Sequence, residues 1–294
     1  MRGRNENDTD GNLHGKSSLF VVEEYSTLRI RMHGMLNIAI RAARRAGELM
    51  IRHINKLQTL EVAEKGRGDY VTRVDQLAEE AIIEVIKDHY PDHAILAEES
   101  GASGEHEYQW IIDPLDGTTN YLHGFPVFSV SIAVAQQKEL QHAVVYDPLR
   151  QEIFAASRGQ GAQLDGRKIR VSKETRLRHA LIATGFPYRI SEAQTDVYLG
   201  MLRDVMLQTA GVRRPGSAAL DLCYVAAGRV DGFWELGLKK WDIAAGALII
   251  REAGGRISDF QGSDAYLESG NVIAGTPKVY AALSKLLAPH ARRV

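Results

Sequence analysis

Several things are scarce in this sequence, and each scarcity closes off a class of protein. There is one cysteine, Cys223, in 294 residues. No intramolecular disulfide can form, and a cysteine-based metal site is not credible. This fits a reducing cytosol, so a cytoplasmic location is expected. No apolar run reaches the roughly 18 residues that a helical membrane span needs. Neither sign of charge dominates, because 36 Lys plus Arg face 37 Asp plus Glu, for a formal charge of -1. Such a balance exerts no global pull on nucleic acid or a membrane surface, so strong autonomous nucleic-acid binding is not expected. The histidines are read as carrying no zinc motif.

What is present reads as an ordinary globular chain. Hydrophobic residues make up 45% and charged residues 25%, which excludes a disordered or collagen-like chain. At about 150 residues per domain, the length suggests two units. Residues 1–31 are polar and aperiodic. Their only apolar stretch, Leu19-Phe20-Val21-Val22, is too short for a signal-peptide core and runs into Glu23-Glu24. They are read as an extension, disordered or non-native, ahead of a domain over 32–290 with subregions 32–179 and 180–290.

Leu36, Ile40, Ala43, Ala46, Met50 and Ile54 recur at helical steps and predict a helix from Met35 to about Lys56. A second is predicted from Asp75 to His89, stopped by Pro91. The middle of the chain is strand-rich. Ala94–Ala97, Trp110–Ile112, Val127–Ala135, Ala143–Tyr146 and Glu152–Ala155 read as strands, and Asp165-Gly166 as a hairpin turn. The run resembles a meander. Beyond it, strands at Leu181–Thr184, Val230–Trp234 and Asn271–Ala274 alternate with helices at Thr195–Gln208, Ser217–Ala227, Asp242–Ala253 and Pro277–Leu287. The expectation is a layered α/β fold.

Carboxylates sit where the chain leaves these apolar segments. Glu98-Glu99 follow Ala94–Ala97, Asp113 and Asp116 follow Trp110–Ile112, Asp242 opens a helix, and Asp75 follows Asp69–Val74. Buried charge is costly unless paired or metal-bound, and basic residues are scarce in these segments. A hard divalent cation with oxygen ligands, Mg2+, suits them. Two adjacent ions need about four carboxylates, some bridging; Glu98, Asp113, Asp116 and Asp242 supply them. Pro114 holds Asp113 extended, which turns its carboxylate and the Leu115 carbonyl outward together. Gly117 permits a sharp turn. Thr118 and Thr119 offer N–H groups and hydroxyls at what could be a helix start, a good phosphate cradle. Metal ligands beside a phosphate cradle are the parts that metal-assisted phosphoryl hydrolysis requires. Each residue has a plainer role open to it. Asp242 and Asp75 could be helix N-caps, Glu98-Glu99 an exposed strand end, and Asp113–Asp116 a simple turn.

The stretch Asp113-Pro114-Leu115-Asp116-Gly117-Thr118-Thr119-Asn120 and the stretch Trp241-Asp242-Ile243-Ala244-Ala245-Gly246 resemble the two signatures of the inositol monophosphatase family. Asp69–Asp75 and Ala97–Ser100 resemble its two upstream motifs, and the bacterial SuhB-like members are the most similar. The resemblance implies an αβαβα sandwich of the inositol monophosphatase and fructose-1,6-bisphosphatase type, with the metal site between the subregions. It implies a first Mg2+ on Glu98, Asp113 and the Leu115 carbonyl, a second on Asp113, Asp116 and Asp242, and a weaker third leaning on Glu98. Asp75 and Thr118 would orient and deprotonate the attacking water. Gly117 and Thr118 would hold the phosphate, and Gly216, Ser217, Ala218 and Glu235, with Asp242, the polyol. Lys65 would lie in a lid loop. A homodimer and inhibition by Li+ are also implied.

The activity so implied is hydrolysis of myo-inositol 1-phosphate and similar small polyol phosphates. Sibling phosphatases act on fructose 1,6-bisphosphate, 3′-phosphoadenosine 5′-phosphate or histidinol phosphate; the Thr118-Thr119-Asn120-Tyr121 continuation favours the inositol type. The SuhB likeness also implies an accessory role in RNA polymerase antitermination complexes, with contact to the polymerase or a Nus factor. Arg213, Arg214, Arg41, Arg44 and Arg45 are candidates for that surface.

Overall fold

The computed structural model describes residues 34–54, 62–66, 69–187 and 191–291, with backbone alone for 62–66 and 69–71. The extension expected over 1–31 lies outside the described residues. Helix α1 spans Gly34–His53 and buries Leu36, Ala39, Ala43, Ala46 and Met50 on one face, as its apolar spacing requires. Strands β1 (Val62–Gly66) and β2 (Asp69–Thr72) pair antiparallel, a ribbon the hydropathy pattern did not suggest. Helix α2 spans Arg73–Lys87. It starts two residues before its expected start because Thr72 is the N-cap; Thr72 Oγ1 accepts the Val74 N–H at 3.0 Å. Asp75 is therefore not the cap.

A sheet of eight strands follows: β3 (Ala94–Ala97), β4 (Gly101–Ser103), β5 (Tyr108–Asp116), β6 (Ser129–Gln136), β7 (Glu139–Asp147), β8 (Glu152–Ser157), β9 (Gly161–Leu164) and β10 (Arg167–Lys168). Its order is β10-β9-β8-β7-β6-β5-β3-β4. From β5 to β10 it is an antiparallel meander, whereas β3 and β5 run parallel. The hairpin turn at Asp165-Gly166 has positive φ at both residues, 50° and 76°. Helix α3 (Thr118–Leu122) leaves the end of β5.

The remaining elements are β11 (Leu181–Thr184), α4 (Glu192–Gln208), β12 (Gly211–Arg213), α5 (Ala218–Ala226), β13 (Gly232–Glu235), α6 (Lys240–Glu252), β14 (Arg256–Ser258), α7 (Tyr266–Ser269), β15 (Val272–Gly275) and α8 (Pro277–Ala291). Five of these strands form a second sheet, ordered β12-β11-β13-β15-β14. The short strands β4, β12 and β14, three residues each, carry too little pattern to be read from sequence.

The central strands are buried on both faces, and alternate side chains enter different cores, which defines five layers. Val130, Ile132 and Val134 of β6 pack with α1 and α2, while Ala133 and Ala135 face the other way. On that second face lie α5 and α6, and beyond them the inner side of the second sheet. Helices α4 and α8 cover its outer side through Val197, Met201, Leu283 and Leu287. This is the expected αβαβα sandwich. Helix α6 is buried from Ile243 to Ile250 because both sheets enclose it. The Leu222 side chain of α5 packs onto the α6 backbone at Gly246, where a Cβ would come within 2.6 Å of it.

His89 and His93 stand four apart, a spacing the histidine reading overlooked. They form no metal pair on a helix, because α2 ends at Lys87 and His93 Nδ1 accepts the Trp110 Nε1–H at 3.0 Å.

Candidate functional site

The site grows from the end of β5. Ile111 and Asp113 point to the middle layer, and Trp110 and Ile112 to α1 and α2. The ladder with β6 then slips between Asp113 and Asp116, and Pro114 sits in that bulge, where its missing N–H costs nothing. Asp113 is only 1% exposed, and its Oδ1 accepts the Leu115 N–H at 3.0 Å. Gly117 follows with φ 97°; a Cβ there would press on the Val127 and Gly216 carbonyls at 3.0 and 3.1 Å. The turn therefore needs glycine twice over.

The N-termini of α5 and α6 meet this turn. Asp116 Oδ2 accepts Ser217 Oγ at 2.5 Å and the Ala219 N–H at 2.8 Å. Ser131 Oγ donates to the Trp241 carbonyl at 3.0 Å, fixing the first turn of α6 to β6. Asp242 is the third residue of α6 and not its cap; its Oδ2 accepts the Lys239 N–H at 2.7 Å. Small residues at Ser129 and Ser131 let both helix ends come this close.

Helix α2 brings the last partner. Asp75 Oδ2 takes the Thr72 N–H and hydroxyl at 2.8 and 2.5 Å, and Oδ1 takes the Thr118 hydroxyl at 3.0 Å. Thr118 Oγ1 also lies 3.1 Å from the Leu115 carbonyl. A hydroxyl has one proton, so it serves one of these acceptors at a time.

The electrostatics show how crowded the acids are. Burial lifts the Asp113 carboxyl well above the usual range, and Glu98, Asp116 and Asp242 lift it further. Glu98 is hydrogen-bonded to it. Burial and then Asp242 push the Asp116 carboxyl up to about 7, against the bonds from Ser217 and Ala219. Burial, Asp242 and Asp116 push Glu235 up to about 8, with Arg214 opposing. Asp75 is raised by burial, against its hydrogen bonds to Thr72 and Thr118. Glu98, Asp113 and Asp116 from one stretch of the chain and Asp242 from a distant one thus share one pocket of unfavourable charge. Among the described residues no three of these side chains close into a finished ligand set. Their chemistry still fits a hard cation: all are oxygen donors, and their like charges crowd together around Asp113.

Not every expected residue faces outward. Ser217 is 1% exposed with its hydroxyl committed to Asp116, so it steadies a candidate ligand and does not face a polyol. Gly216 has φ 92°, and a Cβ there would meet Arg214 and Asn120 side-chain atoms at 2.9 Å. Ala218 is buried at the start of α5. Glu235 lies over Gly185, where a Cβ would fall 1.9 Å from its Oε1. The Lys65 side chain lies outside the described residues.

Sequence reading missed three residues here. Asp221 of α5 is 1% exposed, neither of its carboxylate oxygens has a hydrogen-bond partner, and Glu235 and Asp116 raise its pKa beyond the effect of burial. Asn120 Nδ2 ties the α3 turn to the carbonyls of Val127 and Pro215 at 2.8 and 2.9 Å. Glu79 of α2 holds the backbone after Glu98. Its position four residues after Asp75 on one helix was the available signal.

The model of the inositol monophosphatase family matches residues 31–293. The chain belongs to the inositol monophosphatase family. It is 54% identical over 264 residues to the Nus factor SuhB of Pseudomonas aeruginosa, covering 88% of this chain and 97% of that one. It is 50% identical over 254 residues to the Nus factor SuhB of Escherichia coli, covering 86% and 95%. Within the family it is thus a SuhB-like member. The crystal structure of the extragenic suppressor protein SuhB from Bartonella henselae superposes with a TM-score of 0.84 at 43% identity, over 87% of this chain and 98% of that one. An inositol monophosphatase from Anabaena gives 0.78 at 39% identity, over 87% and 95%. Among the described residues no helix is long and apolar enough to cross a membrane.

Proposed function

We propose that this chain is a Mg2+-dependent phosphomonoesterase that hydrolyses myo-inositol 1-phosphate and similar small polyol phosphates. The observation that carries this is the Thr118–Asp75 hydrogen bond of 3.0 Å, set beside a pocket of mutually repelling carboxylates. Glu98, Asp113 and the Leu115 carbonyl would hold one ion, and Asp113, Asp116 and Asp242 a second. A weaker third ion would lean on Glu98. Bound Mg2+ would neutralise phosphoryl and leaving-group oxygens and acidify a water.

The chain's own residues do the rest. Thr118 Oγ1 accepts a proton from the attacking water and passes its own to Asp75 Oδ1. Burial raises the proton affinity of Asp75, which suits it to receive. Thr72 holds its other oxygen and so fixes its rotation. The Gly117 and Thr118 N–H groups face the phosphate, and Glu235 exchanges hydrogen bonds with polyol hydroxyls. The test is phosphate release from inositol 1-phosphate, fructose 1,6-bisphosphate, 3′-phosphoadenosine 5′-phosphate and histidinol phosphate, with Mg2+, with EDTA and with Li+. Fastest release from inositol 1-phosphate, abolished by EDTA and lowered by Li+, is expected. Release that survives exhaustive chelation would refute the proposal.

A second reading is favoured by the relatives named Nus factor SuhB. In it a surface of the same fold joins an RNA polymerase antitermination complex through a protein partner. Arg41, Arg44, Arg45, Arg213 and Arg214 are all exposed and available to it. Pull-down of polymerase and Nus factors with Asp113→Asn separates the readings: capture that persists while hydrolysis vanishes assigns a scaffold role. A homodimer, expected from the family likeness alone, is checked by sedimentation equilibrium.

A further inference from the structure

Glu79 is 3% exposed and lies one helical turn beyond Asp75 on α2. Its Oε2 accepts the Glu99 N–H at 2.8 Å and its Oε1 accepts the Ser100 N–H at 2.8 Å. The preceding amide, that of Glu98, donates to the Ile112 carbonyl at 3.1 Å and extends the β3–β5 ladder by one residue. Three consecutive amides of the turn between β3 and β4 are therefore fixed, one by β5 and two by Glu79. Ala97 and Gly101 pair directly across this turn, so Glu98 stands at its root.

A turn alone does not need this arrangement. Ser, Asn or Gln could accept from an exposed hairpin tip without bringing another buried anion close to an acidic pocket. A carboxylate that spans two amides gives two charge-assisted bonds and leaves its holder almost no rotational freedom. Its effect is to lock the backbone from which the Glu98 side chain reaches Asp113. Asp75 on the same helix holds Thr118 at 3.0 Å. One rigid helix face thus sets the proton acceptor and the first candidate ligand in a common frame.

We propose that Glu79 is a positioning residue: its two-pronged hold on the Glu99 and Ser100 amides keeps the Glu98 carboxylate where it can share a divalent cation with Asp113. This rests on the Mg2+ phosphatase reading. Partners that orient a metal ligand typically change metal affinity by about 10- to 100-fold when removed.

The experiment measures Mg2+ binding to the full chain by titration calorimetry, together with the Mg2+ half-saturation of phosphate release. Wild type, Glu79→Gln, Glu79→Asp, Glu98→Gln and the double variant Glu79→Gln/Glu98→Gln are compared. Glu79→Gln keeps the shape but turns an N–H toward an N–H; Glu79→Asp keeps the charge but is too short to reach both amides. Both are expected to weaken Mg2+ binding by at least about tenfold, while kcat at saturating Mg2+ changes far less. In the Glu98→Gln background, Glu79→Gln should cost little more, since its effect runs through Glu98. Unchanged Mg2+ affinity in a folded Glu79→Gln, or full additivity with Glu98→Gln, overturns the proposal. If Glu79→Gln does not fold, Glu79→Asp decides on the same criterion. A wild type that neither binds Mg2+ nor releases phosphate would sink the phosphatase reading itself, a result distinct from an indifferent Glu79 variant.

Discussion

Thr118 Oγ1 lies 3.0 Å from Asp75 Oδ1, across 43 residues of sequence and two layers of the local framework, the turn after β5 and the first turn of α2. Neither residue is held by the other alone. Thr72 clamps Asp75, and the Gly117 turn clamps Thr118. A hydroxyl fixed between a buried carboxylate and a backbone carbonyl can relay a proton in one direction.

Thr118→Ala removes that relay, and with it one hydrogen bond to Asp75, while Asp75 keeps its two bonds from Thr72. It should lower kcat more than it raises KM, because the hydroxyl acts on the nucleophile and not on ground-state binding. Thr118→Ser should recover much of the loss. Steady-state kinetics on inositol 1-phosphate decide; equal changes in kcat and KM would reassign Thr118 to substrate binding.

Asp116 and Asp242 approach from β5 and α6, and each raises the other's proton affinity or that of a shared neighbour. Asp116→Asn and Asp242→Asn should each reduce turnover by about a thousandfold, the several kcal/mol that metal-based charge stabilisation supplies. Far-UV circular dichroism should stay unchanged. Retained activity in both variants would contradict the proposed ligand set.

Metal-free stability should fall as pH rises. Folded Asp113 and Asp221 titrate well above their ordinary values, Asp116 near about 7 and Glu235 near about 8, while the unfolded chain loses these protons near pH 4. Between those limits the folded state binds more protons, so the slope of stability against pH is negative. Denaturation in EDTA at pH 5.5 and 8.5 should show the loss, and saturating Mg2+ should remove most of it. A flat profile in EDTA would mean the acids do not share a buried pocket.

Asp221 is the sharpest single case, since both its oxygens lack a partner. Asp221→Asn should stabilise the metal-free chain at pH 8.5 by about 1 kcal/mol or more, as removal of an unpaired buried charge does. The gain should shrink at the lower pH, because burial favours the protonated form of the folded carboxyl. Urea titrations at the two pH values measure it. Destabilisation at both would show that Asp221 has a structural partner.

Much of this was legible before folding was considered. The apolar spacing of α1 and α2 revealed two helices, Asp165-Gly166 revealed its hairpin, and carboxylates at the ends of apolar strands marked β5 and α6 as chemically loaded. Boundaries drifted where a cap decided them: Thr72 starts α2 before Asp75, and Lys239 starts α6 before Asp242. Strands β4, β12 and β14 escaped because three residues cannot display a period. Ser217 was expected at the polyol from the family likeness alone; the packing of α5 against the β5 bulge turns its hydroxyl to Asp116.

The sequence by itself determined the kinds of chemistry available: oxygen donors without sulfur, a threonine beside a glycine turn, and helices with faces to bury. Those are properties of residue type and local spacing. Only the tertiary structure decided which acids meet, because convergence depends on two helix ends descending onto one strand end. It also decided that Glu79 belongs with Glu98 and that Asp221 stands alone. Both are buried carboxylates on helices, and their difference lies entirely in whether an N–H group from a distant segment arrives within hydrogen-bonding distance.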